Sequence, residues 1–162
     1  MFKKCVSVLC VALIAAASFM LPVHAQESSI SVSAQAAVVI NADNGQVLYA
    51  KNAENQQAMA STTKIMTALL TLEEAAKENK IVTISEQVAA VEGSSMYLNA
   101  GDQLSLKDLA IGMLTVSGND AAYGAAVAIG GSEEEFAKLM NARAKELGME
   151  HTNFVTASGL DA

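Results

Sequence analysis

The chain has 162 residues, 10 of them basic and 17 acidic, for a formal net charge of −7. That balance excludes the basic footprint of a nucleic-acid binder. The length allows one domain with a real hydrophobic core.

The first 25 residues carry the marks of a secretory signal. Lys3 and Lys4 precede an almost wholly apolar run, Cys5 to Leu21, which ends at Pro22 and the small-residue site Val23-His24-Ala25. The run is short for a permanent membrane span. Removing it takes away two lysines and no acid, which moves the formal charge from −7 to −9. Both cysteines, Cys5 and Cys10, leave with it, so the exported chain has no thiol nucleophile, thiolate metal site or disulfide. Leu9 before Cys10 argues against a lipoprotein site.

Residues 36–42 and 46–50 are short runs rich in β-branched and apolar residues around the turn signal Asp43-Asn44-Gly45, and they predict a β-hairpin. From Ser61 to about Lys80 the texture becomes helical, with Ile65, Leu69 and Leu72 as the apolar stripe. Ile81–Ile84 is a short extended piece, and Ser85 caps a short helix. Residues 92–96 and 99–102 are loops. Ser105 with Asp108 forms a capping box for a helix to about Val116, a further helix restarts at Asn119-Asp120, and Gly130-Gly131 ends it. Ser132 with Glu135 suggests a second capping box, opening a helix with Phe136, Leu139, Met140 and Leu147 on its apolar face and Gly148 at its end. From Met149 the chain is irregular or extended. Strands first and a block of helices after them indicate an α+β fold.

Two polar clusters stand out. Ser61 and Lys64, three residues apart at a helix start, fall within side-chain reach of each other. A lysine kept neutral by its surroundings can deprotonate a serine hydroxyl. The same residues also suit a plain helix cap and a solvated charge. Ser117-Gly118-Asn119 interrupts an apolar helical region, either as a turn capped by Asn119 or Asp120 or as a second serine with a substrate-holding amide. A Ser-His-Asp arrangement would have to use His151, which sits in no recognisable setting.

Ser-x-x-Lys followed by Ser-x-Asn is the order found in penicillin-binding proteins and class A β-lactamases. Through "AAVVINADNGQVLYAKNAENQQAMASTTKIMTALL" and "EGSSMYLNAGDQLSLKDLAIGMLTVSGNDAAYGAAVAIGG", continuing to "TNFVTASGLDA", the chain resembles the low-molecular-mass, serine-type D-alanyl-D-alanine carboxypeptidases. The resemblance implies that residues 26–162 are part of a catalytic domain with the β-lactamase/penicillin-binding (transpeptidase) fold. It implies that Ser61 is the nucleophile, Lys64 the acylation base, Ser117 the proton relay to the leaving D-alanine, and Asn119 the ligand of the substrate amide. The implied reaction is hydrolysis of the terminal D-Ala-D-Ala bond of a peptidoglycan stem peptide through a serine acyl-enzyme. β-Lactams would act as covalent inhibitors. No cofactor and no metal are implied. The location would be the periplasm or the outer face of the cytoplasmic membrane, with membrane association only through a C-terminal anchor of the parent protein.

One family motif is missing. No lysine is followed by Thr-Gly or Ser-Gly, and His151-Thr152-Asn153 is a near miss. In the family that motif lies on a strand further downstream, so the expectation is a truncated chain that lacks the inner sheet strands and has impaired activity. A class A β-lactamase is the rival enzyme, but Leu98-Asn99 has Ser95, not Glu, three positions before Leu98. A non-catalytic exported fragment that binds peptidoglycan or a partner is the other alternative.

Overall fold

The computed structural model describes residues 30–160. Residues 1–25, expected to be a secretory signal, and with them both cysteines, lie outside the described residues. The chain divides at Glu54/Asn55 into two compact units.

The first unit is the hairpin. Strand β1 (Ala37–Ile40) pairs antiparallel with β2 (Val47–Lys51), with Val38 opposite Ala50 and a register irregularity between Val39 and Ile40. The predicted turn closes on itself through side chains: Asn41 Oδ1 accepts from the Asp43 N–H, and Asn44 Oδ1 accepts from the Gln46 N–H, both at 2.9 Å. These are the local bonds that make Asn a turn residue. The Lys51 ammonium donates to the Val32 and Ala34 carbonyls, tying the preceding segment to the hairpin.

The second unit holds the helices. A 3₁₀ turn (Ala60–Thr63) runs directly into α1 (Lys64–Lys77). Strand β3 (Ile81–Thr83) leads to the short α2 (Glu86–Ala89), and β4 (Gln103–Ser105) returns antiparallel to β3 with Val82 opposite Leu104. Next come α3 (Leu106–Thr115), α4 (Asn119–Gly130) and α5 (Glu133–Glu146). The α+β expectation therefore holds. Strand β4 was not foreseen, because three residues between a loop and a helix cap carry no period.

The helix boundaries follow local chemistry. Pro22 is the chain's one proline, so caps and glycines set the ends of the helices. The Ser105–Asp108 capping box forms in both directions. At α5 only half of the second box forms: the Ser132 hydroxyl accepts from the Glu135 N–H, while the Glu135 carboxylate turns outward to Lys138. Three glutamates in the first turn of α5 and Arg143 and Lys145 in its last match the helix dipole.

α4 is the central helix of this unit. Ala121, Ala122, Gly124, Ala125 and Ala126 are buried, and such small side chains let α1, α3 and α5 approach it closely. Phe136 and Met140 of α5 are fully buried against this cluster. Each contributes about 1.5–3 kcal/mol of apolar burial. Leu139 and Leu147, expected on that face, are exposed, and Ala137 and Ala144 take their places. The stripe expected on α1 is also corrected. Ile65 and Leu72 face outward, and the buried side carries Lys64, Thr67, Ala68, Thr71 and Ala75.

Candidate functional site

Two features of the chain fix the setting of Ser61. Its turn has no side-chain cap, and the Thr62 hydroxyl donates back to the Met59 carbonyl at 2.7 Å. Ala60, immediately before Ser61, has φ +47°, a left-handed conformation that costs an alanine on the order of 1–2 kcal/mol. Ser61 is exposed and does not act as a helix cap; its hydroxyl oxygen lies 3.1 Å from Lys64 Nζ.

Lys64 is the unusual residue. It is only 2% exposed, yet its amine meets no carboxylate among the described residues. Nζ donates instead to the Ser158 carbonyl at 2.9 Å. Burial pushes its pKa down from the ordinary lysine value. The solvated-charge reading of Lys64 is therefore corrected. The Ser61 hydroxyl and a desolvated amine are in contact.

The second cluster lies in the turn between α3 and α4, both of which pack against α1. Ser117 is half-buried and also left-handed, with φ +57°. Its hydroxyl makes no hydrogen bond among the described residues, and none joins it to Ser61 or Lys64. Gly118, not Asn119 or Asp120, is the N-cap of α4. Asn119 is buried: its backbone N–H donates to the Ser94 carbonyl at 2.7 Å and its Nδ2 to the Glu92 carbonyl at 2.8 Å. A Cβ on Gly93, whose φ is +91°, would lie 2.6 Å from Asn119 Nδ2. Only glycine permits that approach at that backbone angle.

Asp120 was read only as part of a helix start, and its role is larger. Its carboxylate is 1% exposed and accepts from the Met96 N–H, the Leu98 N–H, the Ser95 hydroxyl and the Ala121 N–H. Burial pushes this carboxyl up, but the four donors together outweigh it and hold the pKa below its usual value. Asp120 thereby fastens the 92–98 loop beside Asn119. In sequence, such a residue looks like any first-turn acid.

His151 is exposed, and its carbonyl accepts from Gln56 Nε2. Its imidazole makes no hydrogen bond among the described residues, so the triad arrangement gains no support. Among the described residues, no group of three His, Cys, Asp or Glu side chains could hold a metal ion. A groove of about 440 Å³ runs beside the Ser61 turn, between Met59–Thr63 and Phe154–Leu160; neither Ser61 nor Lys64 lines it. Among the described residues, no helix is long and apolar enough to cross a membrane.

This arrangement can be compared with known proteins. The family model described as D-alanyl-D-alanine carboxypeptidase matches residues 23–162. The D-alanyl-D-alanine carboxypeptidase DacF of Bacillus subtilis (strain 168) is 44% identical over 138 residues, covering 82% of this chain and 35% of the relative. DacC of Escherichia coli (strain K12) is 41% identical over 143 residues, covering 82% and 36%. Among solved structures, the carboxypeptidase DacD from Francisella tularensis superposes with a TM-score of 0.77 at 38% identity, over 83% of this chain and 34% of that one. Penicillin-binding protein D2 from Listeria monocytogenes, in its ampicillin-bound form, gives a TM-score of 0.73 at 36% identity, over 83% and 56%. The chain spans about a third of the length of the curated relatives it matches.

Proposed function

Because the chain belongs to the D-alanyl-D-alanine carboxypeptidase family, we propose that Ser61 and Lys64 are the nucleophile and base of a serine acyl-transfer site. The observation that carries this reading is the contact of 3.1 Å between the Ser61 hydroxyl and a buried amine that has no counter-ion among the described residues. The substrate is the terminal D-Ala-D-Ala amide of a peptidoglycan stem peptide. Ser61 Oγ attacks the carbonyl carbon of that amide while its proton passes to Lys64 Nζ. The backbone N–H of Ser61, in the first turn, offers one donor to the developing oxyanion. Collapse breaks the C–N bond, and Ser117 passes a proton to the departing D-alanine amine. Asn119 orients the substrate backbone. Water then hydrolyses the ester and restores the hydroxyl. A β-lactam acylates Ser61 in the same way, and its amide nitrogen remains tethered.

The reaction belongs outside the cytoplasmic membrane, where its substrate is. Lys3, Lys4, the apolar run and Val23-His24-Ala25 supply the export signal, so residues 26–162 form the exported part of the catalytic domain. One experiment tests both statements. Cells expressing the chain are treated with a fluorescent penicillin, and the labelled band is sequenced. The expected product begins at Gln26 and carries the label on Ser61, and Ser61→Ala abolishes it. Folded chain that takes no label would overturn the catalytic assignment. A labelled product that still begins at Met1 would overturn the export assignment.

A further inference from the structure

We propose that the segment Thr156–Gly159 is a strap that positions Lys64, anchored by the hydroxyl of Thr67. The proposal rests on the assignment of Lys64 as the base, and it concerns how that base is held.

Two consecutive carbonyls of the strap are read by two side chains of α1. The Ala157 carbonyl accepts from Thr67 Oγ1 at 2.6 Å, and the Ser158 carbonyl accepts from Lys64 Nζ at 2.9 Å. Lys64 and Thr67 stand one turn apart on the buried face of α1, so both bonds fix the same stretch of backbone. Ala157, Ser158 and Thr67 are all buried. The other side of the strap is held as well: the Ala157 N–H donates to Glu133 Oε1 at 3.0 Å, and the Gly159 N–H donates to Thr156 Oγ1 at 3.1 Å.

The strap also touches the nucleophile's turn. At Gly159, φ is +75°, and a Cβ there would run into the Ala60 carbonyl and lie 2.6 Å from Thr63 Oγ1. The strap backbone therefore rests directly on the residues that flank Ser61. Any shift in it moves both partners of the Ser61–Lys64 contact.

The chemistry explains why a carbonyl suits this place. A neutral amine has two N–H donors and one lone pair. The Ser158 carbonyl takes one N–H and leaves the lone pair to receive the Ser61 proton. A carboxylate there would stabilise the ammonium form and disable the base. Glu133, the α5 acid that contacts the strap, is engaged with the Ala157 N–H, not with Nζ. Thr67 is thus a positioning residue that acts on Lys64 through the peptide between Ala157 and Ser158.

The test compares Thr67→Val, which keeps the shape and loses the hydroxyl, with Thr67→Ser, which keeps the hydroxyl. Acylation by a fluorescent penicillin is measured per folded molecule, well below the melting transition. T67V is expected to slow acylation by about tenfold or more, as misplacement of a reacting group does, and T67S to recover most of that loss. T67V acylating at the unaltered rate would overturn the strap. A second readout is independent of acylation: the side-chain resonance of Lys64 is titrated in protein carrying carbon-13-labelled lysine. In T67V the titration is expected to move up toward the ordinary lysine range, and in T67S to stay. If the unaltered chain takes no penicillin, the functional assignment falls, and the resonance decides the strap separately. A Lys64 titration that T67V leaves unchanged or moves down overturns it; one that moves up upholds it.

Discussion

At the scale of single residues, the base role proposed for Lys64 turns on its protonation state. Its amine is buried against the Ser61 hydroxyl and the Ser158 carbonyl, with no anion beside it among the described residues. Desolvation therefore lowers its pKa. A base must be uncharged to accept a proton, so acylation of Ser61 is expected to rise with pH as Lys64 deprotonates. The midpoint should fall below the value of about 10.4 for free lysine. Lys64→Arg puts in this place a guanidinium, which stays protonated. Measured per folded molecule, that variant is expected to acylate about 10²–10⁴ times more slowly at every pH, the usual worth of general base catalysis. Rates of β-lactam acylation between pH 6 and 10 check both statements. A flat profile in the unaltered protein, or an active K64R, would remove Lys64 from the role.

The same scale shows why the contact of Ser61 with Lys64 was legible but the backbone strain at Ala60 and Ser117 was not. Ser-x-x-Lys is a spacing, and a helix turns that spacing into contact. Ala60 and Ser117 adopt left-handed backbone beside the two polar clusters. Nothing in the residue types announces it, since alanine and serine have no preference for that region. The strain is imposed by packing and appears only once the fold is assembled.

At the scale of elements, the 92–98 loop is organised by a carboxylate on another element. Asp120 gathers three donors from residues 95–98, at 2.7 to 3.1 Å. The loop carbonyls of Glu92 and Ser94 in turn hold Asn119. Asp120→Asn keeps the shape but places an amide N–H₂ among N–H donors, leaving buried groups unpaired. We expect a loss of about 2–3 kcal/mol at neutral pH. The sign of the pH dependence follows from linkage. The folded pKa of Asp120 is depressed, so its stabilisation is present above the unfolded carboxylate value near 3.9 and is lost as pH falls through the folded value. Denaturant melts of both proteins from pH 7 to pH 3 should show their stability gap narrowing below about pH 4. A gap that stays constant over that range would contradict the role given to Asp120.

Elements also mark the limit of sequence reading. Caps at Ser85, Ser105 and Ser132 were legible because a hydroxyl and an N–H three residues on form a local pair. The faces of α1 were not. Periodicity places Ile65 and Leu72 inward, but Lys64 and Thr67 are drawn inward by carbonyls 94 and 90 positions away. A long-range acceptor leaves no mark in the local pattern. Loop glycines such as Gly93 showed only that a loop was present, and the close approach of Asn119 gave the reason.

At the scale of the whole molecule, the two units differ in what holds them. In β1 and β2 no residue is buried, and Val38, Val39, Ile40, Val47 and Leu48 are each more than half exposed. A two-stranded hairpin without a covered face is marginal on its own. α4, by contrast, has seven buried residues and neighbours on several sides. Local opening free energy follows such differences: exposed backbone bonds open at little cost, while a buried helix opens only with its whole unit. Hydrogen exchange of the chain is therefore expected to finish first in residues 37–51. Amides of α4 should be the slowest, exchanging at the global unfolding rate. The Ser61 turn should fall between them, since its neighbour Ala60 touches the strap at Gly159 while Ser61 itself faces solvent. Hairpin amides as protected as those of Ala122–Ala126 would show that something covers the hairpin in solution. The assignment of stability to the helical unit alone would then fail.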